Sequence, residues 1–335
     1  MSASDRLNLR RIEQYWYSKN IGSALLLPAS WLFRLAGAVH RGCYRLALIK
    51  PQVVSVPVIV VGNISVGGTG KTPLVAWMVE YLRRRGYRPG IISRGYGGRA
   101  RHWPQQVRQD SDPTMVGDEA VLLARRCVCP IAVGPDRVAA ARALLEYTDC
   151  NIIVADDGLQ HYRLHRDIEI AVVDGVRRFG NQRCLPAGPL REPVARLQDV
   201  DAVVVNGLAG RGEFSMKLLG STICNLATPQ QTYEAGAFPV RVVHAVAGIG
   251  NPKRFFEHLR KLGLEVIEHP FPDHHPFNAG DITFEDELPV IMTEKDAVKC
   301  QRFATPRHWV LPVTAEMQDT FEHRLNLLMK RIQHG

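Results

Sequence analysis

The stretch VGNISVGGTGKTPLVAWM, Val61 to Met78, decides the fold. The run that leads into it, PVIVV from Pro57 to Val61, is short, apolar and β-branched, and Leu74, Val75, Met78, Val79 and Leu82 recur after it at helical spacing. The order is strand, glycine-rich turn, helix, which is the setting a phosphate-binding loop requires. Against the general pattern G-x-x-x-x-G-K-S/T, the eight positions here are Ser65, Val66, Gly67, Gly68, Thr69, Gly70, Lys71 and Thr72, with Ser in place of the first Gly. Glycines let the backbone curl until its N–H groups converge on phosphate oxygens, and the helix N-terminus adds positive potential. Lys71 is then placed to reach outer phosphates, and Thr72 to ligate Mg²⁺.

The remainder of the chain is consistent with a nucleotide-handling α/β protein. Its 335 residues are 46% hydrophobic and 22% charged, an ordinary globular composition with length for two modest domains. A formal charge of +9 favours an anionic partner, whether nucleic acid, an acidic membrane surface or a polyphosphate. The seven cysteines include one C-x-C and no C-x-x-C pair, which points away from zinc and from a disulfide framework and toward buried thiols in a reducing compartment.

The first twenty residues are polar and lack the apolar stretch of a secretory signal. The charge-free run from Asn20 to Phe33 is broken by Pro28 and falls short of the ~20 apolar residues that a spanning helix needs. At about 100° per residue, Leu32, Leu35, Val39, Cys43 and Leu46 share one helix face, and Arg34, Arg41 and Arg45 the opposite one. Two arrangements suit such a helix. It lies in a membrane interface with the arginines near anionic headgroups, or it packs on the protein's own core. Tyr15, Trp16, Tyr17 and Trp31 favour the interface.

From Pro57 onward, short apolar runs alternate with helical patterns, the signature of a largely parallel sheet. Strands are expected near 57–61, 89–93, 130–133, 151–155, 168–173 and 201–205, and helices near 71–85, 117–126 and 135–147. Past Asn206 the pattern weakens into a connection with one or two short strands, and a second βα alternation follows from about residue 240, where Asn251-Pro252 marks a helix start. The expected organisation is a helical segment over 1–50, a P-loop core over 51–210, a β-stranded linker over 211–240 and a smaller α/β domain over 241–335.

Further motifs carry chemistry. In NIIVADDGLQH, Ile152 to Ala155 deliver Asp156 and Asp157 to the carboxyl end of a strand, where one carboxylate can serve a Mg²⁺ shell and the other position a ligand or water; a pair of this kind can also cap a turn. SRGYGGR (93–99) follows another strand, and GDEA (117–120) opens a helix. Asp118 is there either a proton acceptor or an ordinary first-turn charge. Arg137 and Arg191 are candidate phosphate clamps. FPDHHPF holds Asp273, His274 and His275; adjacent histidines diverge too far to share a metal, so one of them is expected to reach an active site across a domain cleft. TEKDAVK (293–299) comes close to the guanine-reading motif but has Lys295 directly before Asp296, which speaks against a GTPase.

Taken together, SVGGTGKTP, ISRGYGG, GDEA, ADDGLQH, LPAGPLREP, FPDHH and TEKDAVK, in this order and over nearly the whole chain, resemble the tetraacyldisaccharide 4'-kinase family of lipid A biosynthesis, whose own loop carries Ser at the first position. The resemblance implies two P-loop-type α/β/α domains joined by a two-stranded linker, with the active site in the cleft. It implies an ATP-dependent enzyme on the cytoplasmic side of the inner membrane, peripheral or monotopic, that phosphorylates the 4'-hydroxyl of a tetraacylated disaccharide 1-phosphate to give lipid IVA. Carried onto this chain, residues 65–72 bind ATP, Lys71 stabilises the transferred phosphoryl, and Thr72, Asp156, Asp157 and Glu192 surround Mg²⁺. Asp118 is the implied base, tuned by His274, with Gln160, His161, Arg137 and Arg191 beside the reacting groups. The expected partners are the lipid substrate and the membrane surface, with no nucleic acid and no obligate protein partner. The rivals are a P-loop switch or metal-insertion chaperone, against which the missed guanine motif and the amphipathic helix both speak, and a soluble small-molecule kinase or ligase, which has no use for the amino-terminal helix.

Overall fold

The computed structural model describes residues 15–18 and 20–334; the polar leader through Gln14, and Lys19, lie outside the described residues. In chain order, helices α1 (Ile21–Leu25) and α2 (Leu27–Arg45) precede strand β1 (Val58–Gly62), the glycine-rich turn and α3 (Lys71–Arg84). Next come β2 (Pro89–Ser93), β3 (Gln105–Gln106), α4 (Pro113–Val116), α5 (Asp118–Arg126), β4 (Ile131–Val133) and α6 (Arg137–Tyr147). They lead to β5 (Ile152–Asp156), β6 (Ile168–Asp174), β7 (Ala202–Asn206) and β8 (Phe214–Leu219). The carboxyl-terminal part holds β9 (Thr222–Asn225), β10 (Thr232–Glu234), β11 (Val242–Ala247), α7 (Pro252–Lys261), β12 (Glu265–Pro270) and β13 (Val290–Thr293). It ends with α8 (Glu294–Cys300), β14 (His308–Leu311), β15 (Thr314–Met317) and α9 (Asp319–His334).

Each strand and helix expected between residues 57 and 206 forms within a residue or two of the expected bounds. The reason is burial. Strands β1 and β5 are buried at every position, so they read as unbroken apolar runs, as parallel strands covered on both faces do. The apolar positions of α3 named above, Leu74, Val75, Met78, Val79 and Leu82, are all buried. The weak region past Asn206 holds three strands where one or two were expected: β8 runs parallel to β7, and β9 pairs antiparallel with both β10 and β14. These strands are short and half exposed, so they leave little periodic trace.

The chain divides into two compact units. The first takes the described residues of Met1–Lys71, Ile152–Lys217 and Met317–Gly335. Its strands run parallel in the order β8-β7-β6-β1-β5, which sets the loop-bearing β1 between β6 and β5. Helix α9 closes this unit with Phe321, Leu325, Leu328 and Met329 buried, Phe321 meeting the Phe214 ring at 5.4 Å. Arg331 of α9 also donates to the Asp167 carbonyl and the Asp201 carboxylate.

The second unit takes Thr72–Asn151 and Leu218–Glu316. In it β2 and β4 pair in parallel with β3 antiparallel at the edge, and a separate six-stranded sheet runs β10-β9-β14-β13-β11-β12. One core of this second sheet gathers Phe255, Phe256, Leu259 and Trp309, another Phe277, Met292 and Cys300. Helix α7 begins at Pro252 as expected, although the Asn251 side chain makes no capping bond. Helices α5 and α8 pack together in this unit, clamped by a two-pronged Arg126–Glu294 ion pair.

Helix α2 does not pack its apolar face on the protein's own core, and of the interfacial arrangement it keeps the uncovered apolar side but not free Arg41 and Arg45. Its polar side faces the protein: Ser30 Oγ donates to the Cys184 carbonyl at 2.7 Å, Arg41 lies 3.7 Å from Glu192, Arg45 pairs with Asp199, and His40 and Tyr44 pack against the Tyr162 ring. Its apolar side is bare, with Leu32, Leu35, Val39 and Leu46 58–74% exposed. Arg41 and Arg45 are therefore engaged by Glu192 and Asp199 and do not point away with the apolar face, because those carboxylates and the Cys184 carbonyl sit under the helix. Trp16, expected at an interface, donates from its ring to the Pro186 carbonyl and is half-buried on the protein itself. No helix among the described residues is long and apolar enough to cross a membrane.

The docking of α9 gives a direct test. Phe321→Ala removes a buried ring and is expected to lower unfolding free energy by about 3–5 kcal/mol in urea denaturation followed by circular dichroism. A loss below about 1 kcal/mol would mean that α9 does not pack against the parallel sheet.

Candidate functional site

The seven motifs sort into two clusters, one in each unit. In the first unit the loop Ser65–Gly70 leaves β1, and its shape rests on Gly67 and Gly70, whose φ angles of 94° and 97° suit residues without a Cβ. At Gly70 a Cβ would also fall 2.7 Å from the Asn206 amide nitrogen. Polar side chains hold the loop from outside. Asn206, the last residue of β7, donates to the Thr69 carbonyl at 3.2 Å; Arg177 donates to the Gly68 carbonyl at 2.7 Å; and Asn63 Nδ2 lies 3.3 Å from Thr69 Oγ1. The LPAGPLREP segment runs against the loop, Val66 donating to the Pro189 carbonyl and Arg191 N–H to that of Ile64.

Asp156 and Asp157 arrive on β5, paired beside β1 so that Asp156 stands in register with Val61. Asp156 is buried. Asp157 turns into the left-handed region at φ 51°, and its carboxylate lies between two cations: Lys71 Nζ at 3.4 Å and Arg191 Nη1 at 2.9 and 3.0 Å. Glu192, the neighbour of Arg191, accepts from Gln160 Nε2 at 2.8 Å and from the Tyr162 hydroxyl at 2.5 Å, so both of its oxygens have partners. Gln160 also donates to the Asn63 carbonyl, which ties this carboxylate to the loop. The donor set suits Mg²⁺: hard carboxylate oxygens at a strand end and a Thr hydroxyl next after Lys71, with no closed cage of three or more His, Cys, Asp or Glu among the described residues. An ion that takes most of its ligands from phosphates and water needs no more.

The second cluster lies wholly in the second unit. Gly117, at φ 95°, turns the chain into α5, and a Cβ there would fall 2.6 Å from the Tyr96 carbonyl, so SRGYGG and GDEA pack as one piece. Asp118 is buried at the start of α5, with Oδ2 3.2 Å from His274 Nδ1. Burial pushes its carboxyl up, but the His274 hydrogen bond and the charges of Lys295, His274 and Lys299 outweigh that and hold it at about 2. His274 is itself at φ 57°, with Tyr96 packed on its ring at 4.9 Å. Burial pulls this imidazole down, yet the Asp118 hydrogen bond and the nearby carboxylates raise it overall. His275 points elsewhere and meets Asp281 at 3.1 Å.

Lys295 stands at the centre of this cluster, 2.9 Å from Glu119, 3.0 Å from Asp273 and 3.2 Å from His274 Nε2. Burial lowers its ammonium and the three carboxylates Glu119, Asp273 and Asp118 raise it well above the ordinary value. Asp296, its neighbour in the near-miss guanine motif, is fully buried and accepts from Thr293 Oγ1 and Gly248 N–H, a fold-building role. Arg137 is also buried, its guanidinium donating to the Gly134 carbonyl at 3.0 Å in the turn before α6. Sequence reasoning used Lys295 only to set aside a GTPase and passed over Asn206 and Arg177 as site residues. The signal available for Asn206 was its place as the last residue of an apolar strand, and for Lys295 its place in the first turn after one.

Over most of its length the chain is similar to known proteins. A model of the family described as tetraacyldisaccharide-1-P 4'-kinase, LpxK, matches residues 22–330. The tetraacyldisaccharide 4'-kinase of Nitrosococcus oceani is 52% identical over 325 residues, covering 96% of this chain and 94% of its own. That of Alkalilimnicola ehrlichii is 54% identical over 308 residues, 92% of each chain. Among solved structures, LpxK from Aquifex aeolicus in complex with ATP is similar with a TM-score of 0.78 at 29% identity, covering 93% of this chain and 99% of its own. The chain belongs to the tetraacyldisaccharide-1-phosphate 4'-kinase family.

Proposed function

We infer that this chain is an ATP-dependent lipid kinase that transfers the γ-phosphate of ATP to the 4'-hydroxyl of tetraacyldisaccharide 1-phosphate, giving lipid IVA in lipid A biosynthesis. What supports the chemistry is, in the first unit, a glycine-rich loop whose Lys71 faces Asp157 at 3.4 Å and, in the second, a buried carboxylate, Asp118, bonded to a histidine. Residues 65–72 wrap the phosphates of ATP, and Lys71 and Arg191 bear on the charge of the transferred group. Arg137 is assigned as a further clamp. Thr72, Asp156 and Asp157 are the residues that would hold Mg²⁺, with Glu192 behind them. When bound, the ion neutralises charge on the phosphate oxygens. Asp118 accepts the proton that the attacking hydroxyl gives up, and His274 orients it.

The exposed side of α2 is the second part of the reading. Trp31, Leu32, Leu35, Val39 and Leu46, with Ile21 and Leu25 of α1, form an apolar ledge that suits the acyl boundary of a membrane whose lipid is the substrate. The enzyme is placed by this reading at the cytoplasmic face of the inner membrane, held by the ledge without spanning.

Lys71→Ala is expected to lower kcat about 10²–10³-fold, and Asp118→Asn about 10²–10⁴-fold, with the fold retained by circular dichroism, measured as label passed from γ-labelled ATP to the lipid in detergent micelles. Wild-type turnover in either variant would remove that residue from the mechanism. For the ledge, Leu35→Asp with Val39→Asp is expected to cut vesicle flotation at least tenfold, because each apolar side chain contributes roughly 2 kcal/mol on burial. Unchanged flotation would exclude α2 as the anchor.

A further inference from the structure

We propose that Lys295 is a positioning residue for the acid–base pair: by donating to Nε2 of His274 it holds that ring in the neutral tautomer with its proton on Nδ1, aimed at Asp118. An ammonium has three N–H groups and no lone pair. The three acceptors within reach of Lys295 Nζ are Glu119 Oε1 at 2.9 Å, Asp273 Oδ1 at 3.0 Å and His274 Nε2 at 3.2 Å. A protonated Nε2 would set donor against donor, so Nε2 is the bare nitrogen. The ring's proton then lies on Nδ1, 3.2 Å from Asp118 Oδ2, which as a carboxylate can only accept. For a histidine side chain in water this is the minority tautomer, and the surroundings select it.

The groups facing His274 are few. From α5 come Asp118 and, through Lys295, Glu119; from its own loop comes Asp273, whose Oδ1 is 3.9 Å from Nε2. From α8 come Lys295 and Lys299, the latter 3.8 Å from Asp118 and 2.9 Å from Asp296; from the loop after β2 comes the neutral Tyr96 ring. The charge of Lys295 is balanced by Glu119 and Asp273. Its effect at the imidazole is therefore local: it opposes a second proton on His274.

This inference rests on the reading of Asp118 as proton acceptor and adds a reason for the lysine in TEKD. When the hydroxyl attacks, its O–H bond breaks and an O–H bond forms on Asp118, while the oxygen's electron pair makes the new bond to phosphorus and the old phosphorus–oxygen bond releases ADP. His274 keeps its Nδ1 proton throughout and donates it as a hydrogen bond. An imidazolium in its place would add a positive charge beside Asp118 and weaken it as a base.

The test is long-range ¹H–¹⁵N correlation spectroscopy of the ¹⁵N-histidine-labelled full chain, with His274→Gln to assign the signal. The wild-type ring at pH 8 is expected to show a protonated Nδ1 and an unprotonated Nε2. In Lys295→Met the ring loses a neighbouring positive charge, so its titration midpoint should rise by on the order of one pH unit or more. The acidic limb of kcat/KM should rise with it while KM for ATP stays fixed. A wild-type ring protonated on Nε2, or the same midpoint in both proteins, would overturn the proposal, and the wild-type spectrum decides even where Lys295→Met fails to fold. Full turnover in Asp118→Asn with the expected tautomer intact would instead discard Asp118 as the base and leave the role of Lys295 toward His274 standing.

Discussion

The Asp157 carboxylate is the fixed point of the first unit. Lys71 leaves the glycine-rich loop and Arg191 leaves the segment that runs along it, and both guanidinium and ammonium end on this one side chain. Two cations brought this close without an anion between them would repel by several kcal/mol at the effective dielectric of a partly buried site. With Asp157 present they are held close together beside the loop. The cost falls on the backbone, since Asp157 is in the left-handed region. Asp is among the residues that tolerate that region best, and the left-handed turn lets the strand end at Asp156 while the next carboxylate meets Lys71 and Arg191.

The second unit solves the same problem with the signs rearranged. Asp118 is buried and would by itself be driven toward its neutral form. Three cationic or donor groups reverse that, and they are supplied by elements far apart in sequence: His274 from a loop held at φ 57°, Lys295 and Lys299 from α8. The Arg126–Glu294 pair fastens α5 to α8 beside this cluster, so the packing of two helices and the charge state of one carboxylate are parts of one arrangement. In both units a residue in a left-handed conformation, Asp157 in one and His274 in the other, stands next to a lysine at the beginning of a helix.

Much of this was legible in the sequence, and the limits of legibility are physical. Strands β1 and β5 announce themselves because a strand covered on both faces reads as an apolar run, broken in β5 only by its last residue, Asp156. The loop, the Asp pair, GDEA and FPDHH stand out because glycines and adjacent charged residues after apolar runs are uncommon. Lys295 and Asn206 did not stand out. A lone Lys in a helix, or a lone Asn after a strand, looks the same whether it is solvated or aimed at Nε2 of a histidine, and only the fold brings in the partner. The choice of His274 over His275 rested on the resemblance; the geometry separates them through a single positive φ that no composition rule encodes.

Helix α2 shows a different limit. Periodicity divides its residues into an apolar and a basic face, and the ordinary rule for a soluble protein buries the apolar one. Here the polar face is docked through Ser30, Arg41 and Arg45, and the contact continues inward, since Arg41 and Tyr162 both bear on Glu192, which Gln160 ties to the carbonyl of Asn63 at the start of the loop. A helix held by its hydrogen bonds and ion pairs leaves its leucines uncovered, and in water that arrangement forgoes roughly 2 kcal/mol for each of them. The loss is recovered only where an apolar phase lies against the ledge. The sequence therefore leaves an apolar surface uncovered by the protein, and a network of side chains runs from the helix that bears it to the glycine-rich loop.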